Sequence, residues 1–177
     1  MRTERLSAGM ISLGCSKNRV DSERILACFK DAGFEITGDE AKADVVVVNT
    51  CGFIESAKQE SINVILEAAR DRKQGSVLAV AGCLSQRYLR ELAQELPEVD
   101  IFHGVGDHEG LVEKIRAKFG QTEMVRYCGG RVLTTPAYSA YLRIADGCDN
   151  RCTYCAIPLI RGGRRSEHET GNVDAVL

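Results

Sequence analysis

Asp44-Val45-Val46-Val47-Val48-Asn49 is an unbroken β-branched run, and it stops at Thr50-Cys51-Gly52. A strand with one wet face alternates apolar and polar residues. A run that is apolar at every position is expected at the centre of a parallel sheet, buried on both faces. Two further runs share this design. Ala8–Leu13 ends at Gly14-Cys15, and Ser76–Ala81 ends at Gly82-Cys83. Asp100–His103 is a fourth strand, ending at Gly104, and Phe34–Ile36 is a short additional one. Between them lie stretches with helical periodicity. Asn18–Ala32 carries Val20, Ile25, Leu26, Cys28 and Phe29 with charges between them, and Gly33 stops it. Glu55–Arg72 presents Ile62, Ile65, Leu66 and Ala69; Leu84–Leu96 stops at Pro97; Glu109–Phe119 stops at Gly120. Strand and helix alternate with short links, so the fold class is α/β with an open, mostly parallel sheet over about residues 6–120. Residues 121–137, with Gly129-Gly130 and Pro136, read as a linker. A new strand is expected from Tyr138, running into a second functional segment.

The chain has 177 residues, 44% hydrophobic and 27% charged, with a net charge of −2. That balance gives no global pull toward nucleic acid or membrane. The absence of Trp and an aromatic content of 6% leave little for stacking on single-stranded nucleic acid. Arg161, Arg164 and Arg165 form a local basic cluster, which is either a solvated turn or a contact surface. No apolar run approaches the ~20 residues of a membrane span, and the N-terminus lacks a signal-peptide core. A reducing, cytoplasmic setting is expected. The eight cysteines are then read as metal-binding or redox groups rather than disulfides.

Cys15, Cys51 and Cys83 each stand just past the end of a strand. They are separated by 36 and 32 residues, about one β-α-β step each. In a parallel sheet the carboxyl ends of all strands share one edge, and open α/β folds bind ligands there. The spacing therefore brings three distant thiols to one rim, and Gly14, Gly52 and Gly82 beside them would let backbone approach a ligand. The plainer alternative is that these are small buried strand-end residues. Cys28, on the apolar face of the first helix, is expected in the core, and Cys128, in the linker, is expected to be a free thiol.

Gly147-Cys148-Asp149-Asn150-Arg151-Cys152-Thr153-Tyr154-Cys155 is a C-x3-C-x2-C triplet after the apolar run Tyr141–Ala145. Three thiolates within eight residues can close on one centre. They are one short of the four ligands of a structural zinc or of an ordinary iron–sulfur cluster. A zinc reading would need His168, at an awkward spacing, and no cysteine follows Cys155. A cubane held by three cysteines, with one iron open, fits the count. The histidines at 103, 108 and 168 form no recognisable catalytic motif.

The triplet resembles the signature of radical S-adenosylmethionine (SAM) enzymes. Together with Cys15, Cys51 and Cys83, it makes the chain similar to the methylthiotransferases of that family. Ser12-Leu-Gly-Cys15-Ser-Lys-Asn18, Val20-Asp21-Ser22-Glu23, Asn49-Thr-Cys51-Gly-Phe-Ile-Glu-Ser56 and Ala156-Ile-Pro-Leu-Ile-Arg-Gly162 resemble the branch that modifies an aspartate β-carbon of small-subunit ribosomal protein twelve. The resemblance covers about residues 8–165. It implies two 4Fe-4S clusters, one on Cys15, Cys51 and Cys83 and one on Cys148, Cys152 and Cys155. The open iron of the second would chelate SAM, which is cleaved to a 5′-deoxyadenosyl radical. The open iron of the first would hold the sulfur that is methylated, by a second SAM, and delivered. It further implies a ribosomal-protein substrate and an electron donor such as flavodoxin or ferredoxin, with no membrane and no direct nucleic-acid contact.

The family's pattern departs in length. Only 22 residues follow Cys155, fewer than one βα unit of roughly thirty. Residues 138–177 are thus expected to be the first strand and cluster loop of an incomplete radical SAM barrel. On the resemblance, SAM-binding residues of later strands and the family's C-terminal β-barrel are expected to lie outside these 177 residues, and the match fades after Arg165. The chain alone is expected to cleave SAM weakly or not at all. Two alternatives remain open: a transfer-RNA adenosine methylthiotransferase, and a non-catalytic iron–sulfur-binding or merely folded remnant.

Overall fold

The computed structural model describes residues 5–122, 124–125 and 129–166. Cys128, His168 and the tail from residue 167 onward lie outside the described residues, so the reading of Cys128 as a free thiol is not addressed. Within them the chain is α/β. It runs β1 (Ser7–Ser12), α1 (Ser16–Asp31), β2 (Glu35–Ile36), β3 (Val45–Thr50), α2 (Glu55–Asp71), β4 (Val77–Gly82), α3 (Cys83–Glu95), β5 (Ile101–Phe102) and α4 (His108–Lys118). After these come β6 (Ala145–Asp146), α5 (Ile157–Arg161) and β7 (Arg165–Ser166).

The first five strands form one sheet in the order β2-β1-β3-β4-β5, and every pairing is parallel. The valine run is its centre: Val47 pairs with Met10 on one side and Ala79 on the other. Alternate valines face opposite layers. Val45 and Val47 pack with Ile25, Cys28 and Phe29 of α1 and Leu111, Val112 and Ile115 of α4. Val46 and Val48 pack with Ile65 of α2 and Leu84 and Leu92 of α3. Each fully buried aliphatic side chain contributes about 1.5–3 kcal/mol, so this double-sided burial dominates the stability of the sheet. Cys28 is core, as expected, and burial pushes its thiol up to about 12.

Two expectations for helix faces need correction. Leu66 points outward, while Ile62, Val64, Ile65, Ala68 and Ala69 cover the sheet. Helix α1 is buried on its polar side as well: Asn18, Asp21, Ser22, Glu23 and Arg24 are all buried. The segment after the α/β layer covers that side. Glu23 accepts from the Thr134 backbone N–H (2.9 Å), the Thr134 hydroxyl (3.0 Å) and the Arg131 guanidinium. The expected strand from Tyr138 is also shorter. Only Ala145–Asp146 is strand, paired antiparallel with Arg165–Ser166. A strand exists by its ladder, and no described strand lies beside Tyr138–Ile144. Tyr138, Ile144, Tyr154 and Leu159 stay exposed. No helix among the described residues is long and apolar enough to cross a membrane.

Candidate metal centres

The chain crosses over between β1 and β3, which lie side by side although β2 comes between them in sequence. Such a switch point opens a crevice at the carboxyl ends of the two strands, where open α/β folds place their ligands. Cys15 follows β1 and Cys51 follows β3, so two of the three rim thiols flank that crevice; Cys83 opens α3 directly after the neighbouring β4. The three loops touch. A Cβ on Gly14 would lie 2.6 Å from the Cys51 Cβ and 3.0 Å from its Sγ, and one on Gly52 would lie 2.7 Å from the Leu84 Cα. At Gly82, φ is +97° and a Cβ would run into the Asn49 side chain and the Thr50 carbonyl. These glycines make room for one another's loops rather than for a ligand, which revises the role expected of them.

Asn18 ties the same loops from below. Its Nδ2 donates to the Leu13 carbonyl (3.1 Å) and the Thr50 carbonyl (2.8 Å), one before Cys51 and the other two before Cys15. The Cys83 thiol donates to its Oδ1 at 3.4 Å. Ser61 of α2 holds Cys51 itself, accepting from its N–H (3.2 Å) and donating to its carbonyl (3.0 Å). Cys15 is exposed, Cys51 half-buried and Cys83 buried. Burial pushes the Cys83 thiol up, the Arg161 guanidinium pulls it down, and Cys51 and Cys15 are near enough to push it up again.

The triplet forms a compact loop. The Cys148 N–H donates to the Gly162 carbonyl (3.1 Å) and the Cys155 N–H to the Cys152 carbonyl (3.0 Å). The Asp149 carboxylate receives the Arg164 N–H at 2.9 Å. Cys152 is exposed, and Cys148 and Cys155 are half-buried. Ala156 and Ile160, which follow this loop, pack against Cys83 and Val105 in a small apolar cluster of their own. The two cysteine sets therefore meet across α5, a proximity the linear spacing did not reveal. Among the described residues, no three His, Cys, Asp or Glu side chains stand close enough to share a single ion. Ligands of one tetrahedral ion, each ~2.3 Å from it, must come within about 4 Å of one another. A cubane takes each cysteine on a different iron and accepts a wider triangle. The all-thiol donor sets suit iron–sulfur ligation better than a lone ion.

Arg161 is not part of a solvated basic turn; it is buried. Its Nη1 donates to Asp146 Oδ2 at 2.9 Å, and its Nη2 to Asp21 Oδ2 and Asn18 Oδ1, both at 2.8 Å. Arg143 pairs with Asp21 as well, and Lys17 with Asp146. Burial alone would raise the pKa of Asp21. The His108 ring, 3.6 Å away, and the Arg161 and Arg143 guanidiniums outweigh it and hold the carboxyl well below the usual carboxylate range. Asp146 is likewise lowered, burial being outweighed by Arg161 and Arg143. His108 is the first residue of α4. The His103 Nε2–H donates to the Asp107 carbonyl (2.6 Å), and burial lowers the pKa of the ring.

Depressed carboxyls bind fewer protons in the fold than in the open chain. Their stabilisation is complete above the open-chain value of about 3.9 and is lost as pH falls below it toward the folded values. Denaturant melts should therefore show stability falling between about pH 5 and about pH 2. Asp21→Asn should flatten that slope while lowering stability at neutral pH. An unchanged slope would mean that Asp21 does not carry the linkage.

Residues 7–104 match the profile of a family described as "Uncharacterized protein family UPF0004". The chain belongs to this family. Its curated relatives include "Ribosomal protein uS12 methylthiotransferase RimO" of Clostridium tetani, 51% identical over 172 residues, or 92% of this chain and 38% of the relative. The protein of the same name from Geobacter sulfurreducens is 49% identical, over 94% of this chain and 40% of the relative. That from Pelobacter propionicus is 48% identical, over 93% and 39%. The UPF0004 chain thus spans about two-fifths of the length of these relatives. Asn18, Asp21, Asp146 and Arg161 were not singled out by sequence as site residues. The signal for Asn18 was its place in the first turn after Cys15. For Arg161 it was its distance of six residues from Cys155.

Proposed function

We propose that this chain is the cluster-bearing portion of a methylthiotransferase that acts on the aspartate β-carbon of small-subunit ribosomal protein twelve. The observation that carries the reading is the convergence of the Cys15, Cys51 and Cys83 loops at the switch-point crevice, with the Cys148–Cys155 loop docked on Cys83 through α5. The names of relatives about half identical over nine-tenths of this chain support the same reading.

Cys15, Cys51 and Cys83 would hold one 4Fe-4S cluster and Cys148, Cys152 and Cys155 a second, each with one iron free of protein. A reduced cluster with SAM chelated at such an iron supplies radical chemistry, which activates a C–H bond that no acid or base side chain can ionise at neutral pH. The chain's residues hold the donors for this. Asn18 and Ser61 fix the backbone of the first set, and the Gly162 carbonyl with Asp149 folds the second loop on itself. The exposed Cys152 and Cys15 face solvent, where an electron donor such as flavodoxin or ferredoxin and the ribosomal protein would approach.

The test supplies the anaerobically reconstituted protein with SAM, a low-potential reductant and either ribosomal protein twelve or transfer RNA, and reads products by mass spectrometry. Methylthio-aspartate is the expected product, in low yield, because the chain alone is expected to cleave SAM only weakly. A methylthiolated adenosine would establish the sister activity instead. Neither product from a chain loaded with two clusters would favour a non-catalytic iron–sulfur module.

A further inference from the structure

The Arg161 guanidinium reaches out of the second cysteine segment and ends 3.6 Å from the Cys83 Sγ, a member of the first cysteine set. Its position is not incidental. Asp21 on α1 and Asp146 on β6 take its two terminal nitrogens, and Asn18 Oδ1 receives Nη2 as well. With both ends of the fork anchored, the Nη2 that faces Cys83 has little freedom to leave. Once Cys83 gives up its proton to become a ligand it can no longer donate to Asn18, and the Arg161 Nη2 proton that goes to Asn18 Oδ1 can be shared with the adjacent sulfur anion. We propose that Arg161 is the positioning residue by which the Cys148–Cys155 segment sets the electronic state of the Cys15–Cys51–Cys83 centre, through an N–H···S hydrogen bond to Cys83. This rests on the cluster reading proposed above, and it assigns a cross-segment role to an arginine that ligates nothing.

The physical expectation is direct. Hydrogen bonds to the ligand sulfurs and nearby positive charge both stabilise the more negative, reduced form of an iron–sulfur cluster. Arg161 supplies both, from a buried site where they are weakly screened. Lysine at this position keeps the charge but cannot serve two carboxylates and a sulfur with one planar fork. Glutamine keeps a donor and loses the charge.

The test uses the full chain, reconstituted anaerobically, with the Cys148/Cys152/Cys155→Ala form giving the spectrum of the first cluster alone. Redox titration followed by electron paramagnetic resonance should place the first cluster of Arg161→Gln at least about 59 mV lower than wild type, a tenfold change in a one-electron equilibrium, with Arg161→Lys between them. The second cluster should not move. Either variant could fold poorly, so wild-type protein labelled with 15N-arginine provides a second readout. Pulsed resonance on the reduced first cluster should detect a coupled arginine nitrogen. Absence of that coupling overturns the proposal. So does an unchanged potential in folded variants that merely melt earlier, which would make Arg161 only a tie between α5 and α1. Failure of the first cluster to assemble in wild type would overturn the cluster reading and this inference together. Assembly with an unmoved potential overturns this inference alone.

Discussion

Asn18→Leu should leave the parallel sheet intact while stripping iron from the first cysteine set. Leucine keeps the γ-branched shape and heavy-atom count of asparagine but is bulkier, so the site is not emptied; what is lost is the bonding. The Leu13 and Thr50 carbonyls lose their Asn18 donor, and the Arg161 Nη2 loses one acceptor. Each buried polar group left without a partner costs about 1–3 kcal/mol, and partial relief through the sheet's own ladder keeps the total near about 2–4 kcal/mol. In a domain of this size that lowers the melting temperature by roughly 5–15 °C. The sheet itself depends on the Val45–Val48 run and the apolar side chains of its two covering layers, and Asn18 is not one of those side chains. Far-ultraviolet circular dichroism should therefore stay native at room temperature. Iron retained after gel filtration should fall by about the four atoms of one cubane, because the Leu13–Cys15 and Thr50–Cys51 turns are no longer pinned together. Full iron retention in a folded Asn18→Leu chain would show that the loops hold their geometry without it.

Glu23→Ala carries a second large effect, of a different kind. Glu23 is completely buried on α1, where it accepts from Thr134 and from Arg131, whose side chain is itself almost fully buried. Removing the carboxylate leaves the Arg131 guanidinium in the interior with the Tyr141 carbonyl, 2.7 Å from its Nη1, as its remaining acceptor among the described residues. Breaking a buried ion pair on one side costs about 3–5 kcal/mol, more than deleting a neutral contact, because the surviving charge stays desolvated. Thr134 loses its acceptor at the same time. The loss should be local before it is global. Hydrogen exchange in residues 129–142 should accelerate at temperatures where β3 and β4 remain protected. Glu23→Gln, which still accepts hydrogen bonds, should fall between wild type and alanine. Uniform exchange across the whole chain would mean that this segment and the sheet unfold as one unit.

These two residues also mark where sequence reading stops. The valine run was legible because its message is local: four β-branched residues in a row fit a strand and little else. The cysteines after Ser12, Thr50 and Gly82 followed from strand ends alone. Strand order was not legible, because nothing within β1 or β3 says that they will be neighbours. Only that adjacency turns a shared edge into a crevice. The charges on α1 carried a misleading signal. A polar helix face usually meets water, but here Asp21 and Glu23 meet Arg143, Arg161 and Arg131, which lie over a hundred residues further along the chain. Arg161 was hidden for the same reason, since a buried partner cannot be read from the residues beside it. The run from Tyr138 has strand-like composition. It fails to form a longer strand because composition supplies side chains, whereas a strand requires a neighbouring ladder.

On the proposed function, the two three-cysteine sets would each hold a cluster, and each would do so independently of the other. Iron and acid-labile sulfide, counted per chain after anaerobic reconstitution, test it most directly. Wild type should carry about eight of each. The Cys15/Cys51/Cys83→Ala and Cys148/Cys152/Cys155→Ala forms should carry about four each, and the form lacking all six cysteines almost none. About four in wild type, lost entirely on Cys148→Ala, would contradict the claim and reduce Cys15, Cys51 and Cys83 to small side chains at strand ends.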